Sequence, residues 1–196
     1  MKNHIILLLA VLFVAMGCNR SAGDQTAEGT DGLQAQFITF SEGFAQASLP
    51  VSYDSLALRA FQADVQTLTR IDTGSPFLPD SFFRAGCEGA PLYEAYAYQS
   101  FDLGDSFKGL SFYVRPNPEC GVDSYSDGIL LVRYDSTGQV SSYYQVASLN
   151  VQWEHTGYVA STLDADGILT TEHVTIIQDY EAGTSDTNRV VVENRL

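Results

Sequence analysis

The sequence predicts a mainly β fold with a small α portion (α+β): an antiparallel β-meander sheet or open barrel with one N-terminal helix packed on it. Three observations lead to this prediction. From Tyr93 onward, apolar and polar residues alternate with the period of two that is typical of half-buried strands. Short turn-forming segments, such as 135–138 and 164–167, separate the alternating runs. Before Tyr93, one segment repeats its apolar residues with the spacing of a helix.

That helical segment covers residues 54–69. Its apolar residues recur at spacings of three and four, which aligns them in one stripe along a helix. The members of the stripe are Leu58, Phe61, Val65 and Leu68. Asp54 suits the N-cap position, because its carboxylate can accept a hydrogen bond from a free N–H group of the first turn. Residues 36–49 are rich in aromatic side chains and fit either a strand or a short helix.

Seven alternating runs make up the rest of the chain. They cover residues 93–101, 107–115, 129–134, 139–147, 158–163, 168–178 and 189–194. Short turns join most of these runs, which favours antiparallel pairing of neighbours along the chain. The pattern leaves open whether the sheet closes into a barrel or stays an open twisted sheet.

The N-terminus carries the features of an export signal. One Lys precedes an uncharged apolar run over residues 5–16, which spans about 18 Å as a helix against about 30 Å for a hydrocarbon core. Such a run is typical of a signal peptide. Residues 14–18, Val-Ala-Met-Gly-Cys, resemble the lipobox of bacterial lipoproteins. The resemblance implies a signal peptide over residues 1–17 and lipid attachment to Cys18; the alternative is an ordinary secretory signal followed by an unmodified cysteine.

The segment after Cys18 is rich in Gly, Ser, Thr and acidic residues and has no aromatic residue before Phe37. We expect residues 18–35 to form the lipidated cysteine and a flexible acidic tether, and residues 36–196 to form a single β-rich domain. The layout resembles envelope lipoproteins of Bacteroidota-type bacteria. That resemblance implies a lipid anchor in a bacterial membrane, with the outer membrane expected and the domain in the periplasm or at the cell surface.

Charge and composition exclude some functions. The chain has 24 acidic and 10 basic residues and a formal net charge of −14. Because phosphate contacts require clustered Lys and Arg, we expect no nucleic-acid partner. Residues 164–167, Asp-Ala-Asp-Gly, resemble the start of an EF-hand loop, but Gly167 comes two positions too early and Thr175 stands where the bidentate Glu belongs. We therefore predict a hairpin turn there, and no metal or cofactor.

The cysteines predict one disulfide bond. If Cys18 carries lipid, Cys87 and Cys120 remain as an even pair in an exported protein. Exported proteins keep disulfides because their compartment is oxidising. Two free thiols are the alternative.

The histidines give little support to an enzyme. After the signal peptide only His155 and His173 remain, and no G-x-S-x-G, H-E-x-x-H or P-loop pattern occurs. We predict no catalytic residue and favour a non-enzymatic binding or scaffolding module. The alternative is an envelope hydrolase with a site assembled from scattered Asp, Ser and His residues, which requires a cleft where a histidine meets a carboxylate and a nucleophile.

The tyrosines supply the candidate ligand-binding residues. Tyr96 and Tyr98 share one face of a strand, because alternate side chains point the same way. Tyr134 and Tyr143 lie on neighbouring strands and are added to the candidate site. A flat aromatic face beside acidic groups suits an envelope protein or a glycan. The alternative is cross-strand aromatic pairing that only stabilises the sheet.

Overall fold

The computed structural model describes residues 25–83, 86–87, 90–104, 106–120, 127–151, 155–179 and 182–196. The predicted signal peptide, Cys18 and the first part of the predicted tether lie outside these residues. Within the described part of the chain, no helix combines the length and the apolar character that are needed to cross a bilayer.

Short helices precede a long series of strands. The helices are α1 (Gln25–Ser41), α2 (Ser55–Asp64) and α3 (Asp80–Phe83), with 3-10 turns at Val65–Thr67 and Pro118–Cys120. The first strands are short: β1 (Ala45–Gln46), β2 (Val51–Tyr53), β3 (Arg70–Ile71), β4 (Gly86–Cys87) and β5 (Ala90–Pro91). The later strands are β6 (Tyr93–Asp102), β7 (Lys108–Pro116), β8 (Gly128–Tyr134), β9 (Val140–Val151), β10 (His155–Leu163), β11 (Ile168–Asp179) and β12 (Thr184–Arg195). The predicted mainly β fold is confirmed.

Ten of the described strands form one open sheet, in which β6 to β12 are neighbours in chain order. These strands are antiparallel and correspond to the seven predicted runs. The sheet as a whole is mixed, because β1 pairs parallel to β6. In addition, β2 pairs with the end of β10 and β3 with β6. A wholly antiparallel sheet is therefore not observed.

Two hairpins are closed by the same turn. Asp135 accepts hydrogen bonds through Oδ1 from the N–H groups of Thr137 and Gln139, at 2.9 and 3.0 Å. In the second turn, Asp164 accepts hydrogen bonds through Oδ1 from the N–H groups of Asp166 and Ile168, at 2.9 and 2.8 Å. In both turns the fourth residue is a glycine with positive φ, 84° at Gly138 and 76° at 167. The hairpin predicted at 164–167 is confirmed.

The central strands are buried on both faces. On one face, β6 to β8 pack against α1 and the segment 71–83; we call this the α1 core. Its fully buried members include Ala95, Leu110, Phe112, Val114, Leu130, Val132 and Tyr134. On the other face they pack against α2 and β2; we call this the α2 core. Its members include Tyr53, Leu58, Phe101, Tyr113, Ile129, Leu131, Leu163 and Leu169.

Helix α1 differs from the sequence prediction. Residues 18–35 were expected to form a flexible tether, but the helix already begins at Gln25. The reason is a stripe at spacings of four and three, formed by Leu33, Phe37 and Phe40, which packs on the sheet. The ring of Phe37 is 5% exposed and lies 4.8 Å from the ring of Tyr134. Burial of this stripe stabilises a helix that the polar residues before it would not form alone.

The predicted helix at 54–69 is shorter in the structure. It runs as α2 over Ser55–Asp64 and continues as the 3-10 turn Val65–Thr67. Leu58 is fully buried and Phe61 is half-buried in the α2 core, as the apolar stripe predicts.

Candidate functional site

The four predicted tyrosines do not form one surface. Tyr96 and Tyr98 lie on the side of the α2 core, whereas Tyr134 belongs to the α1 core on the opposite face of the sheet. Tyr143 on β9 is paired with Val132 of the α1 core and therefore lies on the face of Tyr134. The hypothesis of a single tyrosine face is wrong, because the faces of neighbouring strands depend on their pairing and cannot be read from each strand alone.

Tyr134 is a core residue. Its side chain is 0% exposed, and its hydroxyl donates a hydrogen bond to the backbone carbonyl oxygen of Phe77. Burial raises the pKa of Tyr134 above its ordinary value. A buried tyrosine with its hydroxyl satisfied joins the sheet to the segment 71–83 and has no surface left for a ligand.

Tyr96 and Tyr98 make their contacts within the protein. Tyr96 is 6% exposed, and its hydroxyl donates to Glu94 at 3.0 Å. The ring of Tyr98 is half-buried and packs edge-on against Phe61 of α2, with ring centroids 4.4 Å apart. For these two residues the geometry fits the alternative interpretation, in which the aromatic side chains stabilise the sheet.

Glu94 is the centre of an ion cluster that joins three strands. Its carboxylate accepts from Nε of Arg115 at 2.5 Å and pairs with Arg70 at 3.0 Å, in addition to the hydroxyl of Tyr96. Burial alone would raise the pKa of Glu94, but the hydrogen bonds from Arg115 and Tyr96 and the two positive charges outweigh it and lower the pKa. A carboxylate that is ionised and engaged by three donors is poorly suited to act as a general base.

Tyr143 is the exposed member of the predicted set. Its side chain is 39% exposed and lines an open cleft of about 590 Å³ between α1, the segment 76–80 and the turn from β8 to β9. We call this the Tyr143 cleft. Its lining residues are Leu33, Pro76, Leu78, Pro79, Asp80, Gly138, Gln139, Val140 and Tyr143. The ring of Phe82 lies edge-on to the ring of Tyr143, with centroids 6.4 Å apart, and supports it from the side.

The chemistry of the Tyr143 cleft suits a binding site. The walls are mainly apolar, and the polar groups are the Tyr143 hydroxyl, the Asp80 carboxylate and the Gln139 amide. A mostly apolar concavity with a few polar groups that fix orientation is the usual form of a ligand site. Sequence reasoning identified Tyr143 but missed the other walls, because they come from three segments far apart in the chain. The proximity of Pro76 and Pro79 was the one local signal of a rigid loop.

The histidines do not meet. His155 is paired with Ile177, and His173 is paired with Val159, so the two histidines lie four positions apart on neighbouring strands, about 14 Å from each other. Both are exposed. His173 lines a separate cleft of about 330 Å³ whose lining includes Ser148 but no Asp or Glu. Among the described residues, no group of three His, Cys, Asp or Glu side chains could hold a metal ion.

Cys120 takes part in a disulfide bond. Its Sγ lies 3.6 Å from the carbonyl oxygen of Pro91 in β5, and β5 pairs with the strand that contains Cys87. The side chain of Cys87 lies outside the described part of the chain, so the pairing of Cys87 with Cys120 stays a prediction.

The site assignment depends on geometry. No protein-family model, no curated protein and no solved structure matches this chain.

Proposed function

We propose that the protein is a lipid-anchored module of the bacterial cell envelope that binds an exposed, partly apolar segment of another envelope protein in the Tyr143 cleft. The observation that carries this proposal is the exposed ring of Tyr143 in an open, mainly apolar cleft. An aromatic ring exposed among leucine, valine and proline side chains is typical of surfaces that bind peptides.

The position of α1 supports a membrane-proximal role. In the proposal, lipid on Cys18 holds the chain at the membrane, and α1 begins seven residues later at Gln25. Seven residues span at most about 25 Å. Because Leu33 of α1 lines the Tyr143 cleft, an anchor at Cys18 keeps the cleft close to the membrane surface and its envelope partners.

Binding has more support than hydrolysis. The hydrolase alternative requires a histidine beside a carboxylate and a nucleophile, and the lining of the His173 cleft offers Ser148 without an acidic residue. Glu94, the buried carboxylate that accepts the hydrogen bond of Tyr96, is occupied by the ion cluster.

Site-specific photo-crosslinking tests the proposal. The photoreactive residue p-benzoylphenylalanine replaces Tyr143 in the full-length chain, and cells that produce it are irradiated. We expect a defined adduct with one envelope protein. The matched control places the same photoreactive residue at Asp166, an exposed position in the turn from β10 to β11, where we expect no such adduct.

Binding of the purified partner then separates the ring from the hydroxyl. Tyr143→Ser should weaken binding by about tenfold to a hundredfold, as loss of a contact aromatic usually does, whereas Tyr143→Phe should keep most of the affinity. Equal adducts at positions 143 and 166, or full affinity in Tyr143→Ser, would refute the proposal. Binding of soluble cell-wall muropeptides that depends on Tyr143, without a protein adduct, would replace the protein ligand by a glycan.

A further inference from the structure

Strand β12 ends the sheet with an open edge. It is the last strand in the strand order, and it pairs with β11 at all twelve of its positions without a bulge. Natural edge strands are usually kept from pairing by short length, bulges, proline or charged side chains. β12 is long and regular and contains no proline, and its two acidic and two basic residues balance each other in charge. It is therefore competent to accept another strand.

Three consecutive valines make this edge apolar. Val190, Val191 and Val192 are 50%, 56% and 41% exposed. Because side chains alternate along a strand, Val190 and Val192 lie on one face and Val191 on the other. Ile177 on β11 is 46% exposed and is paired with Asp186, on the face of Val190 and Val192. Both faces of the hairpin thus present apolar side chains to water.

The charges on β12 are arranged for self-pairing. When two copies pair antiparallel around a two-fold axis perpendicular to the sheet, the axis passes between the two copies of one residue, which face each other directly. If that residue is Val191, then Arg189 of each copy lies opposite Glu193 of the other, and Val190 lies opposite Val192. Asn188 then lies opposite Asn194. Opposite charges and apolar side chains that face each other directly stabilise strand pairs.

Other centres lack this complementarity. With the axis at position 189, Arg189 of one copy would face Arg189 of the other copy. With the axis at position 192, Arg189 of one copy would face Arg195 of the other copy. Axes at 188 and 190 pair neither Arg nor Glu with an opposite charge. Among the centres that keep all three valines within the paired strands, only Val191 gives two Arg–Glu pairs and no like-charge pair.

The rest of the molecule makes this edge the favourable place for two copies to meet. The chain carries a formal net charge of −14, so most of its surfaces repel a second copy. β12 has two acidic and two basic residues and is neutral: Asp186, Glu193, Arg189 and Arg195. Arg189 is already held by an ion pair with Glu172 of β11. That ion pair keeps the guanidinium on the face where Glu193 of a second copy would arrive.

We propose that two copies of this chain dock through β12, antiparallel and centred on Val191, so that one sheet continues through both. The interface would bring the six valines of the two strands into contact and form two Arg189–Glu193 ion pairs between copies.

Cysteine scanning tests the centre. The full-length chain in detergent solution carries Val191→Cys and is mildly oxidised; we expect a disulfide-linked dimer, because directly opposed residues lie within disulfide reach. Val190→Cys and Val192→Cys are matched controls. In each of them the two copies of the substituted residue are offset by two positions, about 8 Å apart, and should not cross-link alone. A mixture of the two control variants should cross-link, and the unsubstituted chain gives the background of the native cysteines.

Charge reversal tests the ion pairs. Arg189→Glu alone and Glu193→Arg alone should each raise the dimer Kd at least about tenfold, measured by sedimentation equilibrium. An equimolar mixture of the two variants should restore the dimer, since each glutamate then meets an arginine. A wild-type chain that is monomeric at about 100 µM overturns the proposal. Cross-linking that is as strong at position 190 as at 191, or a mixture no more dimeric than its components, also overturns it.

Discussion

At the scale of the residue, Gly109 shows how closely two strands pack. It is paired with Phe101 across β6 and β7. A Cβ atom at position 109 would lie 2.3 Å from Cε2 and 2.7 Å from Cδ2 of the Phe101 ring. Phe101 is 1% exposed and lies in the α2 core, so the ring has no free space to move into. Glycine is required at position 109 because the Phe101 ring occupies the space of a side chain, and not because the backbone has a positive φ.

Gly109→Ala should therefore lower the free energy of unfolding by about 1–3 kcal/mol, the usual cost of overpacking a core. Urea unfolding monitored by circular dichroism measures the change. The matched control is Gly157→Ala, also in a strand, where the nearest atom to a new Cβ is the carbonyl oxygen of Val174 at 3.8 Å. Equal effects of the two substitutions would contradict this account.

The tyrosines show what single residues reveal before the fold is known. That Tyr96 and Tyr98 share a face followed from alternation, which is a local property. Which tyrosine remains exposed depended on the elements that cover each face of the sheet. Tyr134 is covered by α1 and the segment 71–83, whereas Tyr143, on the same face, lies at the rim of that cover. No local pattern contains this information.

At the scale of the element, the ion cluster of Glu94 joins β3, β6 and β7. The folded protein holds the pKa of Glu94 below its ordinary value of 4.5. The ionised cluster therefore stabilises the fold fully above that pH, and this stabilisation is lost as the pH falls through the lowered pKa.

We expect Glu94→Gln to be less stable than the wild type near neutral pH, with a difference that shrinks as the pH falls below 4.5. Denaturant unfolding of both proteins over this range gives the difference in free energy. Glu42→Gln, at an exposed position just after α1, is the matched control and should show little difference at any pH. A difference between wild type and Glu94→Gln that is constant with pH would show that ionisation of Glu94 does not stabilise the fold.

Elements that depend on local pattern were predicted, and those that depend on distant partners were not. β6 to β12 followed from alternation and turn residues, and their observed ends lie close to the predicted ones, except for longer strands at β9, β10 and β12. β1 and β2 have two and three residues and form only because β6 and β10 provide partners far along the chain. α1 depends on the sheet that buries its stripe, although the spacing of Leu33, Phe37 and Phe40 could have revealed it.

At the scale of the whole molecule, the proposed lipid anchor at Cys18 would decide where the Tyr143 cleft acts. Cys18→Ser should abolish palmitate incorporation and release the protein from the membrane fraction, because acyl chains contribute about 0.8 kcal/mol per buried CH₂ group. Asn19→Ser is the neighbouring control and should stay labelled and bound to the membrane. Metabolic labelling and cell fractionation measure both properties. Unchanged labelling of Cys18→Ser would remove the basis of the lipoprotein interpretation.

The burial of β7 and β8 on both faces has a consequence for how the strands find their alignment. In a strand with one wet face, a slip of one residue would bring apolar side chains into water. In β7 and β8 the same slip would only exchange residues between the α1 core and the α2 core. The apolar side chains would stay buried, so the hydrophobic effect favours the correct alignment only weakly over the shifted one. The alignment must come from shape and from the hairpins. Gly109 accepts the Phe101 ring where Leu110 could not, which fixes β7 against β6. The turn at 135–138 sets which residues of β8 and β9 can meet.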